Sequence, residues 1–174
     1  MSNDLFGTSE RKGVGFGFDS EFENGKDEWL TPPEITQDLG PFDLDPCSPI
    51  NRPWPTAKSH YTFQDNGLMK PWHGLVFCNP PYGRQLGIWL ALCARHNNCI
   101  ALVFARTETQ AFQDHVWPKA TSLLFIYGRI AFYHVTGQKA DCAGAPSVLI
   151  AYGPQADERL RANKSIKGRY VRNL

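Results

Sequence analysis

Residues 75–82 read Leu-Val-Phe-Cys-Asn-Pro-Pro-Tyr, an apolar run that stops abruptly at Asn79, Pro80, Pro81 and Tyr82. Prolines supply no backbone donor and hold φ at about −65°, so an extended run cannot continue past Asn79. The turn then fixes a side-chain carbonyl, a main-chain carbonyl and a flat ring in one relation. Such a set can accept hydrogen bonds from a planar NH2 group while the ring stacks on the system that carries it. Methyl transfer to an exocyclic amine or to an amide needs this combination.

The need is electronic. The lone pair of an aromatic amine is delocalised into its ring, so the nitrogen is a poor nucleophile. Two fixed acceptors, the Asn79 side-chain oxygen and the Pro80 carbonyl, would bind its two hydrogens and favour a pyramidal nitrogen. Acceptors aimed at developing positive charge are preorganised electrostatics, and alignment with the methyl donor removes an entropic barrier. Tyr82 would clamp a base taken out of the duplex stack. Asp45, followed by Pro46, ends another short apolar run. A carboxylate there can accept hydrogen bonds from a ribose or an amino group and complement a sulfonium. Asp65, before Gly67, is a second acid with the same potential, although Asp-Asn-Gly also makes an ordinary turn. Arg84 and Arg106 are candidates for DNA phosphate contact.

Glu28-Trp29-Leu30-Thr31-Pro32-Pro33, then Phe42-Asp43-Leu44-Asp45-Pro46-Cys47, then the Asn79 turn occur in the order of a known family. Downstream follow Arg106-Thr107-Glu108-Thr109, Gly128-Arg129-Ile130-Ala131-Phe132 and Ala145-Pro146-Ser147. Over roughly residues 27 to 152 the chain resembles phage-type DNA N-6-adenine methyltransferases. The resemblance implies S-adenosylmethionine as donor, adenine in double-stranded DNA as target, and a phage or prophage origin. It also implies a cofactor role for Trp29 and Thr31 and DNA contacts for Thr107 and Arg129. One departure stands out. Many amino-methyltransferases carry a glycine-rich turn where this chain has Cys47-Ser48-Pro49, so the methionine end of the donor must be held differently. A protein-glutamine methyltransferase, cytosine N-4 methylation and a catalytically silent DNA-binding relative remain alternatives to the adenine reading.

The elements that position these residues read as α/β. Thr31 is the expected N-cap of a short helix over Glu34 to Leu39, with Pro32 in its first turn. Phe42 to Asp45, Leu75 to Cys78, Cys99 to Phe104 and Ser147 to Tyr152 read as strands. Gln85 to His96 and Thr109 to Trp117 read as helices. Ser122 to Tyr127 and Ile130 to Tyr133 flank Gly128-Arg129, a hairpin signal. Only 31 residues separate Cys47 from Asn79, too few for two full strand–helix units. The expectation is a pared-down Rossmann-like methyltransferase sheet, mostly parallel, with a C-terminal antiparallel hairpin. Asp45, Asn79 and Arg106 each follow a strand, which puts them on the rim where open sheets bind ligands. No room is left for a separate target-recognition domain, so loops 105–118 and 134–146 are expected to read DNA.

Three segments follow: a flexible glycine-rich arm over 1–26, a methyltransferase domain over 27–152 and a basic segment over 153–174. The net charge of +1 conceals an uneven distribution, −4 over residues 1–28 and +4 over residues 153–174. A basic end suits phosphate contact or a solvated tail. The five cysteines form no CxxC pair and the five histidines no ligand pattern, so no metal site is expected. Without a membrane-length apolar stretch or a signal-like start, the expected location is the cytoplasm.

Overall fold

The computed structural model describes residues 28–172; the arm expected over residues 1–26 lies outside them. In chain order the elements are β1 (Trp29–Leu30), α1 (Pro33–Leu39), β2 (Leu44–Asp45), β3 (Ser59–His60), β4 (Val76–Cys78), α2 (Leu86–His96) and β5 (Cys99–Phe104). Then come α3 (Gln110–His115), β6 (Ser122–Ile126), β7 (Ala131–His134), β8 (Lys139–Cys142), β9 (Ser147–Tyr152), α4 (Pro154–Ala162) and β10 (Gly168–Arg172).

Alternation along the buried strands builds the two-sided core. Val76 and Cys78 of β4, with Cys99, Ala101 and Val103 of β5, face Trp89, Leu90 and Cys93 of α2 and Phe112 of α3. Phe77, Ile100 and Leu102 point the other way, toward Ile35 and Leu39 of α1 and Ala156 and Leu160 of α4. The period of two therefore sends alternate residues to opposite helical layers.

The seven-stranded sheet runs β10-β6-β9-β5-β4-β2-β3. The pairs β2–β3, β2–β4 and β4–β5 are parallel, whereas β5–β9, β6–β9 and β10–β6 are antiparallel. The sheet is thus mixed, and the expected parallel character holds only on the β3 to β5 side. The expected hairpin across Gly128-Arg129 does not form. Both edges of β6 are taken, by β9 and by β10, so β7 has no edge to pair with there. Gly128, at φ 80°, turns the chain out of the sheet. β7 instead joins β1 and β8 in a separate three-stranded sheet. Residues 134–146, expected as a loop, contain β8 and its turn back onto β7.

The basic segment also belongs to the fold. α4 buries Ala156 and Leu160 against the sheet, and β10 pairs with β6 from Gly168 to Arg172. The backbone N–H groups of Lys164 and Ser165 donate to Asp38 of α1. Thr31 is not a cap. The residue preceding α1 is Pro32, and the hydroxyl of Thr31 is used elsewhere.

Candidate active site

The chain leaves β2 toward β3 on one side and then crosses to β4 on the other. Such a reversal of strand order is where open α/β sheets usually form a ligand crevice, beyond the carboxyl ends of the strands that flank it, here β2 and β4. Asp45 is the last residue of β2, and Asn79 is the first residue after β4. Their loops touch: Cys47 Sγ lies 3.7 Å from Cys78 Sγ, and the backbone N–H of Asn79 donates to Cys47. Burial pushes the Cys47 thiol up to about 11, which leaves it neutral.

Asn79 is held by one end of its amide only. Its Nδ2 donates to Thr31 Oγ1 at 3.2 Å, while Oδ1 is buried and accepts from no partner among the described residues. Thr31 is 2% exposed, and its carbonyl accepts from Trp54 Nε1 at 3.1 Å, which holds its backbone in place. No backbone hydrogen bond reaches the Pro80 carbonyl among the described residues. Two acceptors at one turn are thus unspent. A buried carbonyl oxygen without a donor costs stability, and such costs persist where a ligand repays them.

Asp45 is almost fully buried. Its Oδ1 accepts from the Cys47 N–H at 3.1 Å, and its Oδ2 accepts a very short hydrogen bond from the Thr56 hydroxyl. Desolvation raises its carboxyl to about 6, although Thr56, Cys47 and Arg52 all pull it down. His60 orders the loop that carries Thr56. Its Nε2 accepts from the N–H groups of Thr56 and Ala57, both at 3.3 Å, and burial lowers its titration to about 4. Gly67 abuts Pro46: a Cβ there would lie 1.9 Å from the Pro46 carbonyl oxygen. Pro46 is therefore fixed by close backbone approach.

Other expected residues sit differently. Trp29 lies in the small sheet with its ring 4.8 Å from His134, and Trp54 packs edge-on against Tyr133 at 5.1 Å. Asp65 is exposed, and its Oδ2 accepts from the Thr62 N–H and hydroxyl, both at 2.9 Å. It closes a turn. Tyr82 stacks face to face on Phe104, with centroids 4.1 Å apart and planes 11° off parallel. Its hydroxyl is buried without a partner among the described residues, and burial pushes the phenol above its ordinary range. A base could meet only the ring face that Phe104 leaves free. Tyr82 and Phe104 also line a cleft of ≈ 720 Å³ that brings Arg84 and Arg106 together between α2 and α3. Thr107 offers its carbonyl to Gln113 at 2.7 Å and so anchors the start of α3. Arg129 lies apart, where β6 ends.

Thr56, His60, Trp54 and Phe104 carry no sequence signal for these roles. Thr56 lies 11 residues from Asp45 in a proline-rich loop, and Thr31 lies 48 residues from Asn79. Only the fold brings them together.

Among known families, DNA methyltransferases match residues 20–170, most of the chain. The chain belongs to the DNA N-6-adenine-methyltransferase (Dam) family, whose general activity is methylation of adenine N6 in DNA. No curated protein and no solved structure matches it. Among the described residues no helix is long and apolar enough to cross a membrane, and no cluster of three metal-ligating side chains occurs.

Proposed function

We propose that this chain methylates the N6 amine of an adenine extruded from duplex DNA, with S-adenosylmethionine as donor. The observation that carries the reading is the Asn79 amide, anchored through Nδ2 and open at a buried Oδ1. S-adenosylmethionine supplies an electrophilic methyl carbon on a sulfonium. Asn79 Oδ1 and the Pro80 carbonyl accept the two amine hydrogens, Pro81 holds the turn, and Tyr82 offers its open face to the base. The amine nitrogen bonds to the methyl carbon as the carbon–sulfur bond breaks. The amine proton then departs to solvent, so no general base is required.

Asp45, at the strand reversal, is the acid that complements the donor, and Pro46 lines its side of the crevice. A carboxyl buried at a strand reversal and raised by desolvation supports that role. Thr31 acts through Asn79 and is a positioning residue. The order of β2, β3, β4 and β5 supports reading this half of the sheet as a reduced Rossmann-like core. The family match weighs against the glutamine and cytosine alternatives.

The test is transfer of labelled methyl from S-adenosylmethionine to duplex DNA, followed by nucleoside analysis. Asn79→Ala should keep donor affinity within a few-fold and lose about a hundredfold in turnover, equivalent to about 3 kcal/mol for one oriented transition-state hydrogen bond. Near-normal turnover would sink the assignment. Donor binding without transfer would identify a silent relative.

A further inference from the structure

The rim that holds Asp45, Asn79 and Arg106 continues past β9 to a corner where β6 ends and β10 begins. The pairing fixes this corner: Gly168 lies opposite Ile126, and the Tyr127 N–H donates to the Lys167 carbonyl at 2.9 Å. A hollow of ≈ 670 Å³ opens there, lined by Tyr127, Arg129, Pro146, Lys167 and Arg169 among others, with no acidic residue. Tyr127 is 83% exposed, although it is a large aromatic. Neither Arg129, Lys167 nor Arg169 enters an ion pair among the described residues, where the only two pairs are Lys58–Asp43 and Arg172–Asp157. Three unpaired cations around an apolar floor match a sugar-phosphate backbone, with phosphate oxygens outside and deoxyribose beneath.

Spacing sets where on the DNA this contact falls. From β4 to β10 the rim crosses four strand-to-strand steps, through β5, β9 and β6. At about 4.8 Å per step the corner lies roughly 19 Å from Asn79. Duplex DNA rises about 3.4 Å per base pair, so that distance spans about five or six base pairs.

We infer that the β6–β10 corner is a second DNA contact, gripping the backbone about five base pairs to one side of the methylated adenine. The inference rests on the DNA reading above and adds a surface and a footprint to it. Lys167 and Arg169 bind phosphates without reading sequence, and Tyr127 packs on sugar. The sheet rim then acts as a straight bed along which the duplex lies, with base extrusion at the β2–β4 end.

Fluorescence anisotropy with labelled duplexes tests it, comparing wild type with Lys167→Gln/Arg169→Gln. On a long duplex the variant should lose about two from the slope of log affinity against log salt, so that between 50 and 200 mM salt wild-type affinity falls about tenfold more than the variant's. In methylation assays the loss should fall on KM for DNA rather than on kcat. Two shortened duplexes, each trimmed to about three base pairs on one side of the adenine, locate the contact. On one of them wild type and variant should bind alike. An Arg169→Lys variant, which keeps the charge, should retain the wild-type slope and so separate charge from fold. Equal slopes for wild type and double variant on the long duplex would overturn the corner while leaving the proposed activity standing. A difference that persists on both trimmed duplexes would overturn its placement. A wild-type protein that neither binds nor methylates duplex DNA would overturn the activity and the corner together.

Discussion

At the scale of single residues, the decisive feature is an amide with one satisfied end. Asn79 could rotate by 180° and present its NH2 to the crevice, which would repel an amine hydrogen. In the structure the buried Thr31 hydroxyl accepts from Nδ2, which is the orientation that the proposed chemistry needs. Thr31→Val keeps the shape and removes the acceptor, so the amide loses its directional hold. Turnover should fall by about tenfold to a hundredfold, the range for weakening one preorganised bond by about 1.4–2.7 kcal/mol. Thr31→Ser should restore it. Side-chain amide NMR supplies a readout independent of substrate: the Asn79 NH2 signal should be slowed in exchange in wild type and Thr31→Ser and fast in Thr31→Val. Equal turnover in all three proteins would reduce Thr31 to packing. Asp45 and Asn79 were legible as strand ends because Asp-Pro and Asn-Pro-Pro-Tyr carry local constraints. Thr31 was read as a helix cap because its partner lies 48 positions away.

At the scale of elements, the proline-rich connection from β2 to β3 governs the acid. Asp45 and His60 titrate with opposite consequences. Asp45 is raised from 3.8 to about 6, so the folded state binds the extra proton. Stability from this group is full below about 3.8 and is lost as pH rises through about 6, costing on the order of 3 kcal/mol at pH 7. His60 is lowered from 6.5 to about 4, so the unfolded state binds the extra proton. Its contribution is full above about 6.5 and is lost as pH falls toward about 4. Between about 4 and 6 the two slopes oppose each other. Asp45→Asn removes the first, because the amide oxygen can still accept from the Cys47 N–H while the Thr56 hydroxyl turns to accept from the amide. Urea unfolding of this variant should show greater stability than wild type at pH 7 and a steeper rise with pH between about 4 and 6.5. Calorimetry should show weaker donor binding. A variant no more stable than wild type at pH 7 would mean that Thr56 and Cys47 fully offset the burial. None of this coupling has a local signature. The strands around it, Leu75 to Cys78 and Cys99 to Phe104, were legible from continuous apolar runs. The partner of β7 was not, since pairing depends on which edges other strands have left vacant.

At the scale of the whole molecule, the two ends of the described chain fasten each other. Leu160 and Ala156 fill the face that α1 shares, the Arg159 guanidinium donates to the Gly40 carbonyl at 2.9 Å, and the Tyr170 hydroxyl donates to Asp157 at 2.5 Å. A chain ending at residue 152 would uncover Leu124, Leu149 and Ala151 and leave α1 without its neighbour. Exposing fully buried side chains of this size costs several kcal/mol, a large share of an ordinary domain's stability. Such a truncation should lack a cooperative thermal transition by circular dichroism, whereas a sharp melt within a few degrees of wild type would show that the domain ends at residue 152. Charge concealed this segment in the sequence: Ala156 and Leu160 keep helical spacing, but they stand among Asp157, Glu158, Arg159 and Arg161.

The margins of the large sheet carry a consequence for how copies of the chain meet. Any open sheet offers unpaired amides at its two outermost strands, and a neighbour can add to them. Among the described residues one margin is β3, only two residues long, and the other is β10, where Arg169 is exposed and Arg172 pairs with Asp157. A short strand offers too few bonds to recruit another, and the exposed charge of Arg169 opposes the approach of a second β10 edge. Among the described residues both margins therefore offer a second copy little to pair with, which would keep sheets apart where many copies gather on one DNA.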